Sequence, residues 1–375
     1  PLCTDVNGCG NGDSARSTVS AHKNSDKDIS FLLLSTWNHE FPLLVFNPSQ
    51  ETWHRPSLDF LREEETDFSV VSASRGLLCL SDGEGSFLVC NPVTKSKRKI
   101  SMFSLESSEK TLWNIVSTNL RTFKEEGRNK FELVCVGNAK GCKQATYVYD
   151  SLKNQWNICK KNRDILFFES NGIFHGSDLM IITSFPFKLM VFNTVSLCWR
   201  EHEVSFPLNL LFPCLVESAG SIILLAAVTA EEELKKNKGE RTWINEEEKE
   251  EEKEEERNER SENSLETDSE RKIVAFKMWK LDDAAKAWIE IASVPVDMFS
   301  KILKSGCFEG FSCVAAKGMV YLNSSEGCIV YDDASSSQAW RWLPQSQVLS
   351  DLHACIKDVY ALEPTLDNFL VCNSK

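Results

Sequence analysis

Short runs of apolar residues, each closed by Asn or Asp, recur along the chain. Ser86–Ile100 (SFLVCNPVTKSKRKI) is typical: Phe87 and Val89 alternate with Leu88 and Cys90, Asn91-Pro92 signals a turn, and a second strand follows. A lone hairpin of this kind cannot bury its apolar face, so its repetition decides the fold. Copies start at Leu43 (LLVFNPSQETW), Phe87 (FLVCNPVTK), Thr146 (TYVYDSLKNQW), Leu189 (LMVFNTVSLCW), Met278 (MWKLDDAAKAW) and Cys328 (CIVYDDASSSQAW). Their turn residues Asn47, Asn91, Asp150, Asn193, Asp282 and Asp332 lie about 44, 59, 43, 89 and 50 residues apart. The widest gap contains a charged segment; without it the interval falls to about 47, and such periods in an all-strand pattern mean propeller blades.

The rest of each repeat follows the same logic. A Gly-led apolar strand precedes most hairpins: at Gly76 (RGLLCLS), Gly176, Gly220 (GSIILLA) and Gly318 (GMVYLN), where glycine lets the backbone enter the inner hairpin without a side-chain clash. A further short strand, FSVVSAS or FSCVAAK, comes before that, making about four strands per blade. Trp53, Trp156, Trp199, Trp288 and Trp340 open the outer strands and are expected to pack against the next blade. In the second repeat Lys97 stands at the Trp position, and the basic strand KSKRKI reads as an edge protected by charge.

The expected fold is therefore all-β, a kelch-type propeller of six blades over residues 30–375, with seven as the alternative. The alternative arises at the end of the chain. There FLVCN at Phe369 is either another hairpin or part of closing strands that complete the first blade, which lacks an inner strand before Phe31.

Composition refines this picture. The hydrophobic content of 42% suffices for a large core. No apolar run reaches the roughly 18 residues of a membrane span, and the first 30 residues lack the apolar core of a secretory signal. Residues 1–29 read as a polar lead-in without amphipathic period. The chain starts at Pro1 rather than Met, which suggests a fragment. The 14 cysteines include no C-x-x-C pair, and Cys79, Cys90, Cys135, Cys214, Cys313 and Cys328 sit in apolar runs; reduced, buried thiols of a nuclear or cytoplasmic protein are expected. The net charge of −13 argues against nucleic acid as a general partner. Residues 231–272 carry about 18 acidic and 10 basic residues, an insertion read as disordered or transiently helical, solubilising or steering a basic partner.

The stretch SRGLLCLSDGEGSFLVCNPVTKSKRKI, with LLVFNPSQETW before it and VYALEP near the end, resembles plant F-box/kelch-repeat proteins over about Ser30–Pro364. The Gly-Gly doublet of the standard kelch repeat is absent, so this is a divergent copy. The resemblance implies a substrate receptor of a Skp–cullin–F-box ubiquitin ligase. In that family an N-terminal F-box binds the Skp-type subunit while the propeller captures the protein to be modified. Residues 1–29 do not resemble an F-box.

Catalytic motifs are missing: the sequence has no G-x-S-x-G, no G-x-x-x-x-G-K, no H-E-x-x-H and no G-x-G-x-x-G. The six histidines are scattered, and neither a metal nor a cofactor is expected. Cys142, flanked by Lys140 and Lys143, reads as an ordinary loop cysteine. Recognition by loops on a rigid scaffold is the stronger expectation. Three aromatic groups are candidates for protein binding: Trp37, His39 and Phe41; Phe185 and Phe187 around Pro186; and Phe308 and Phe311. The functions weighed are a non-catalytic substrate receptor, a propeller scaffold without a ligase link, and, more remotely, a propeller enzyme.

Overall fold

The computed structural model describes residues 31–36, 43–54, 59–61, 68–102, 114–139, 143–160, 171–184, 186–230, 273–304, 311–324, 326–332, 339–344, 356–367 and 369–370. These form a β-propeller of six four-stranded antiparallel sheets. The first contains β1 (Phe31–Thr36), β2 (Leu43–Asn47) and β3 (Thr52–His54), completed by β24 (Ile356–Leu362) from the other end of the chain. The second holds β4 (Ser69–Ser74), β5 (Leu77–Ser81), β6 (Ser86–Asn91) and β7 (Ser96–Ser101), and the third β8 (Asn114–Glu125), β9 (Arg128–Ala139), β10 (Lys143–Asp150) and β11 (Gln155–Lys160). The fourth holds β12 (Ile173–His175), β13 (Asp178–Ile182), β14 (Leu189–Asn193) and β15 (Cys198–His202). The fifth holds β16 (Leu210–Ser218), β17 (Ser221–Thr229), β18 (Ile273–Asp282) and β19 (Ala287–Ser293). The sixth holds β20 (Ser312–Ala316), β21 (Met319–Ser324), β22 (Gly327–Asp332) and β23 (Trp340–Trp342). A helix, α1 (Val296–Lys304), connects the last two sheets and buries Met298, Phe299 and Ile302.

The ring is closed by strands from distant parts of the chain. β24 pairs with β1 from Phe31↔Leu362 onward and supplies the inner strand that the first repeat lacks. Of the FLVCN segment, Val371, Cys372 and Asn373 lie outside the described residues. Phe369 and Leu370 are buried in the seam between the second and third sheets, where Arg98 donates to the Leu370 carbonyl. Each seam between neighbouring sheets has its own apolar cluster, so the core is a ring of interfaces. One runs through Phe87, Val89, Phe131 and Leu133; another through Val216, Phe276, Val320 and Ile329.

The inner strands β24, β4, β8, β12, β16 and β20 run in one direction. Ser72 and Ser74 Oγ accept from the amides of Leu120 and Thr122 in step, and Thr118 and Arg121 reach Asn171 and the Gly176 carbonyl in the same order. Every first-to-second and third-to-fourth turn therefore opens on one face, and every second-to-third connection and sheet-to-sheet link on the other.

The turn face is built from local chemistry. The side chains of Asn47, Asn91, Asp150, Asn193 and Asp282 each accept from the amide two residues on. Four residues after each, Glu51, Lys95, Asn154, Leu197 and Lys286 are left-handed, with φ between 49 and 57. This explains why the turn residue is Asn or Asp throughout. The inner turns at Glu126-Gly127, Ala219-Gly220 and Lys317-Gly318 have both residues left-handed, as tight hairpins demand. Gly76 differs: a β-carbon there would meet Thr365 Cγ2 and its backbone amide, so this glycine admits the chain that follows β24.

The Trp positions are fixed by register. The residue before each turn pairs across it with the Trp, giving Phe46↔Trp53, Tyr149↔Trp156, Phe192↔Trp199, Leu281↔Trp288 and Tyr331↔Trp340. Where an indole N–H finds an acceptor, that acceptor lies on the preceding sheet of the ring: Trp53 donates to the Pro344 carbonyl, Trp156 to Ser101 and Trp199 to Thr146 Oγ1. The expectation that the indoles pack on the next blade is thus reversed in direction. In the second repeat Cys90↔Lys97 replaces the aromatic pair, and Lys97 Nζ donates to the Phe60 carbonyl of the preceding link. Arg98 also bonds the Ser151 carbonyl and lies over the Phe131 ring, so two charges of KSKRKI tie neighbours together rather than merely guard an edge.

The third sheet carries buried charge. Lys130 Nζ lies 2.9 Å from Asp150 and 3.2 Å from both Glu132 and Glu125, with its side chain 5% exposed. Burial pushes the Asp150 carboxyl up, but hydrogen bonds from Lys130 and from the amides of Lys153 and Leu152 overcome this and hold it below the ordinary value. Burial alone would lower the Lys130 ammonium; its carboxylate partners leave it raised instead.

Candidate functional site

The loop face has the longer connections. Thr36 and Leu43, Ile182 and Leu189, Thr229 and Ile273, and Ser293 and Ser312 are the strand ends that open on it. All three aromatic groups expected from the sequence, and the acidic segment, lie between these ends. Strand direction shows what the sequence did not: these strand ends open on one face. Trp37, His39, Phe41, Phe185 and Phe308 lie outside the described residues, as does the segment 231–272.

The two described candidates have different surroundings. Phe187 is half-buried and stacks toward Phe206 (6.2 Å between ring centres), which in turn meets Trp288 at 5.7 Å. It fills the seam between the fourth and fifth sheets. Phe311 lies at the mouth of the central channel, 4.5 Å from the Phe276 ring, edge to face, and 6.2 Å from Phe212. Phe212 itself is 39% exposed and escaped the sequence reading. The only sequence signal is an aromatic residue before a proline in LLFPCLVES.

Below these rings the channel encloses about 590 Å³ and is lined by all six inner strands. Its walls carry Ser72, Ser74, Asn119 and Asn171 with the charged residues Arg75, Arg121, Glu217, Asp358 and Glu363. Arg121 is already committed to Glu132, Thr194 and the Gly176 carbonyl. Two residues inward from the rings, Cys214 and Cys313 on the adjacent strands β16 and β20 are joined by a disulfide, their Cα atoms 6.6 Å apart. This corrects the expectation of reduced thiols at these two positions. They are 99 residues apart in sequence, and only the ring order of the sheets makes them neighbours.

Cys79, Cys90, Cys135 and Cys328 are free thiols and buried. Burial pushes the Cys90 thiol up to about 12 and also raises Cys79, Cys135 and Cys328, so these are thiols rather than nucleophilic thiolates at neutral pH. Among the described residues no group of His, Cys, Asp and Glu is placed to hold a metal. What the arrangement offers is a rigid ring, a polar channel and an aromatic rim on the face with the variable connections.

No family model matches the chain. It is 27% identical over 194 residues to F-box only protein 6 of Arabidopsis thaliana, an alignment covering 49% of this chain and 39% of that protein. To an F-box/kelch-repeat protein of the same plant it is 22% identical over 361 residues, covering 90% of this chain and 75% of the relative. The match thus spans about two fifths of the length of the first relative and three quarters of the second. Both relatives agree with the resemblance to plant F-box/kelch proteins read from the repeats. Among solved structures, a nidogen–laminin complex gives a TM-score of 0.45 at 10% identity, covering 88% of this chain and 98% of that one. Tricorn protease gives 0.43 at 10% identity, covering 85% and 30%.

Proposed function

We propose that this propeller is the substrate-recognition part of a Skp–cullin–F-box-type ubiquitin ligase, and that its loop face holds the protein to be modified. The observation that carries the reading is the similarity to two F-box proteins across the propeller strands. Six sheets joined by six apolar seams support a six-bladed count. On this reading the protein is an adaptor rather than a catalyst, and it works in the nucleus or cytoplasm. Its Skp-type and cullin partners are reached through an F-box, which residues 1–29 do not resemble.

The test is to sequence the transcript around the Pro1 codon, express the complete frame, and identify what co-purifies. An encoded F-box with Skp-type and cullin subunits in the complex is the expected result. A complete frame with no F-box and no ligase subunit would overturn the ubiquitin reading and leave a binding scaffold.

A further inference from the structure

We propose that Phe212 and Phe311 are the apolar anchor of a docking surface at the loop-face mouth of the channel. Its occupant is an extended protein segment that presents an aromatic or aliphatic side chain among basic residues. The inference deepens the reading of the propeller as a protein-binding module, and it does not depend on attachment to a ligase.

The first argument is backbone strain. Phe212 has φ 52. An L-residue pays about 1–2 kcal/mol for that region, and a residue before proline is pushed toward extended conformations as well. Most other left-handed non-glycine residues sit in hairpin turns, and Asn209 precedes β16; Phe212 alone among the described residues lies inside a strand. The pairing of β16 with β17 is broken between Leu211 and Cys214, and such an irregularity re-aims a side chain. A strained aromatic held 39% exposed beside a channel serves the fold poorly, and strain of this kind concentrates at binding sites.

The second argument is support. Cys214 and Cys313 join the two strands two residues beyond Phe212 and Phe311. Phe311 rests on Phe276, which meets Phe299 of α1 at 5.8 Å. The anchor therefore sits on a fixed base, and binding would cost little ordering.

The third argument is charge. The Thr229 amide donates to the Asn209 carbonyl at 3.0 Å, so the end of β17 lies beside the residues that lead into the Phe212 bulge. From that point the sequence enters residues 231–272, with a net charge of about −8. That segment is no part of the surface, but the chain enters it beside the mouth, and its net negative charge favours a basic occupant. Leu208, four residues before Phe212 in sequence, is 80% exposed.

The test uses the full chain and three labelled peptides in fluorescence anisotropy: lysine alternating with phenylalanine, lysine with serine, and glutamate with phenylalanine. The lysine–phenylalanine peptide is expected to bind best. Phe212→Ser should weaken it by about tenfold with the fold retained, since the residue is exposed and strained. Deleting 231–272 should lower affinity while preserving the preference for phenylalanine over serine. If the lysine–serine peptide binds as tightly, if Phe212→Ser changes nothing, or if no peptide binds, the proposal fails. Phe311→Ser is a second probe, read only if its circular dichroism matches the parent. Loss of Skp-type and cullin subunits from the complete protein would leave these outcomes untouched.

Discussion

The two faces of the propeller obey different rules. On the turn face, each described third-to-fourth turn repeats an Asx acceptor and a left-handed residue four positions on, and each inner hairpin turns on two residues. On the loop face the connections range from the two residues 325–326 to the long stretch 230–272. The turn face is constrained because every strand pair must be returned in register within a few residues. The loop face only has to rejoin strand ends, so its composition is free to serve recognition. Mutations on the turn face should therefore change stability, and those on the loop face mainly binding.

The largest effect should come from the buried charges on the turn face. Lys130→Met leaves Asp150 without its buried counter-ion, while Glu132 keeps Arg121, and should cost about 3–5 kcal/mol in denaturant unfolding. The wild type should show the matching pH response. Asp150 titrates lower in the folded state than in the unfolded chain, so its contribution is present above the unfolded value of about 4 and is lost as pH falls through the folded one. Lys130 titrates higher when folded, so its contribution holds below about 10.5 and fades as pH rises past that. An acid limb unchanged by Asp150→Asn would show that the cluster contributes nothing to stability.

Next is the Cys214–Cys313 bridge, the one strong covalent constraint near the loop face among the described residues. Opening a crosslink of this span should cost about 2–4 kcal/mol. Thermal unfolding with and without a thiol reductant reads it: the melting temperature should fall for the parent and stay constant for Cys214→Ser. Equal sensitivity in both would place the effect elsewhere. A comparison with the peptide assay sharpens the contrast, since this is the loop-face position where stability and binding should change together.

Asn193→Ala removes a side-chain oxygen that accepts from the amides of both Val195 and Ser196. Two exposed hydrogen bonds are worth about 1–2 kcal/mol together, with no change in peptide binding. Urea unfolding with an unaltered slope would confirm a local loss; a cost below about 0.3 kcal/mol would mean that water replaces the acceptor fully.

How much of this the sequence revealed depends on how local each feature is. The turn residues and the Trp positions were legible because acceptor, left-handed residue and indole are separated by fixed short intervals. Lys97 was legible as an exception but not as a bridge to Phe60, because its acceptor belongs to another repeat. The pairing of Cys214 with Cys313 was hidden for the same reason: it depends on which sheets adjoin. Phe311 was visible as a candidate, whereas Phe212 looked like any apolar strand residue. Apolar alternation reports side-chain direction and says nothing of backbone handedness. That the strand ends flanking the candidate loops open on one face follows only from the parallel run of the inner strands, which no local pattern reports.

The smallest prediction isolates handedness from contact. Lys95 has φ 57, is exposed, and ends the turn after Asn91. A lysine there carries the steric cost of the left-handed region, about 1–2 kcal/mol. Glycine escapes that cost but loses about 0.5–1 kcal/mol through the greater freedom of its unfolded chain. Lys95→Gly should therefore stabilise the protein by about 0.5–1 kcal/mol, and Lys95→Val, branched at its β-carbon, should destabilise it. Both follow from thermal melts of the full chain. If glycine and valine shift the melt in the same direction, the φ of this turn is not what selects its residue, and the uniform left-handed position on the turn face needs another cause. If they diverge as expected, the same Gly-versus-branched comparison at Phe212 becomes a direct measure of what the loop face gives up to hold that ring in place.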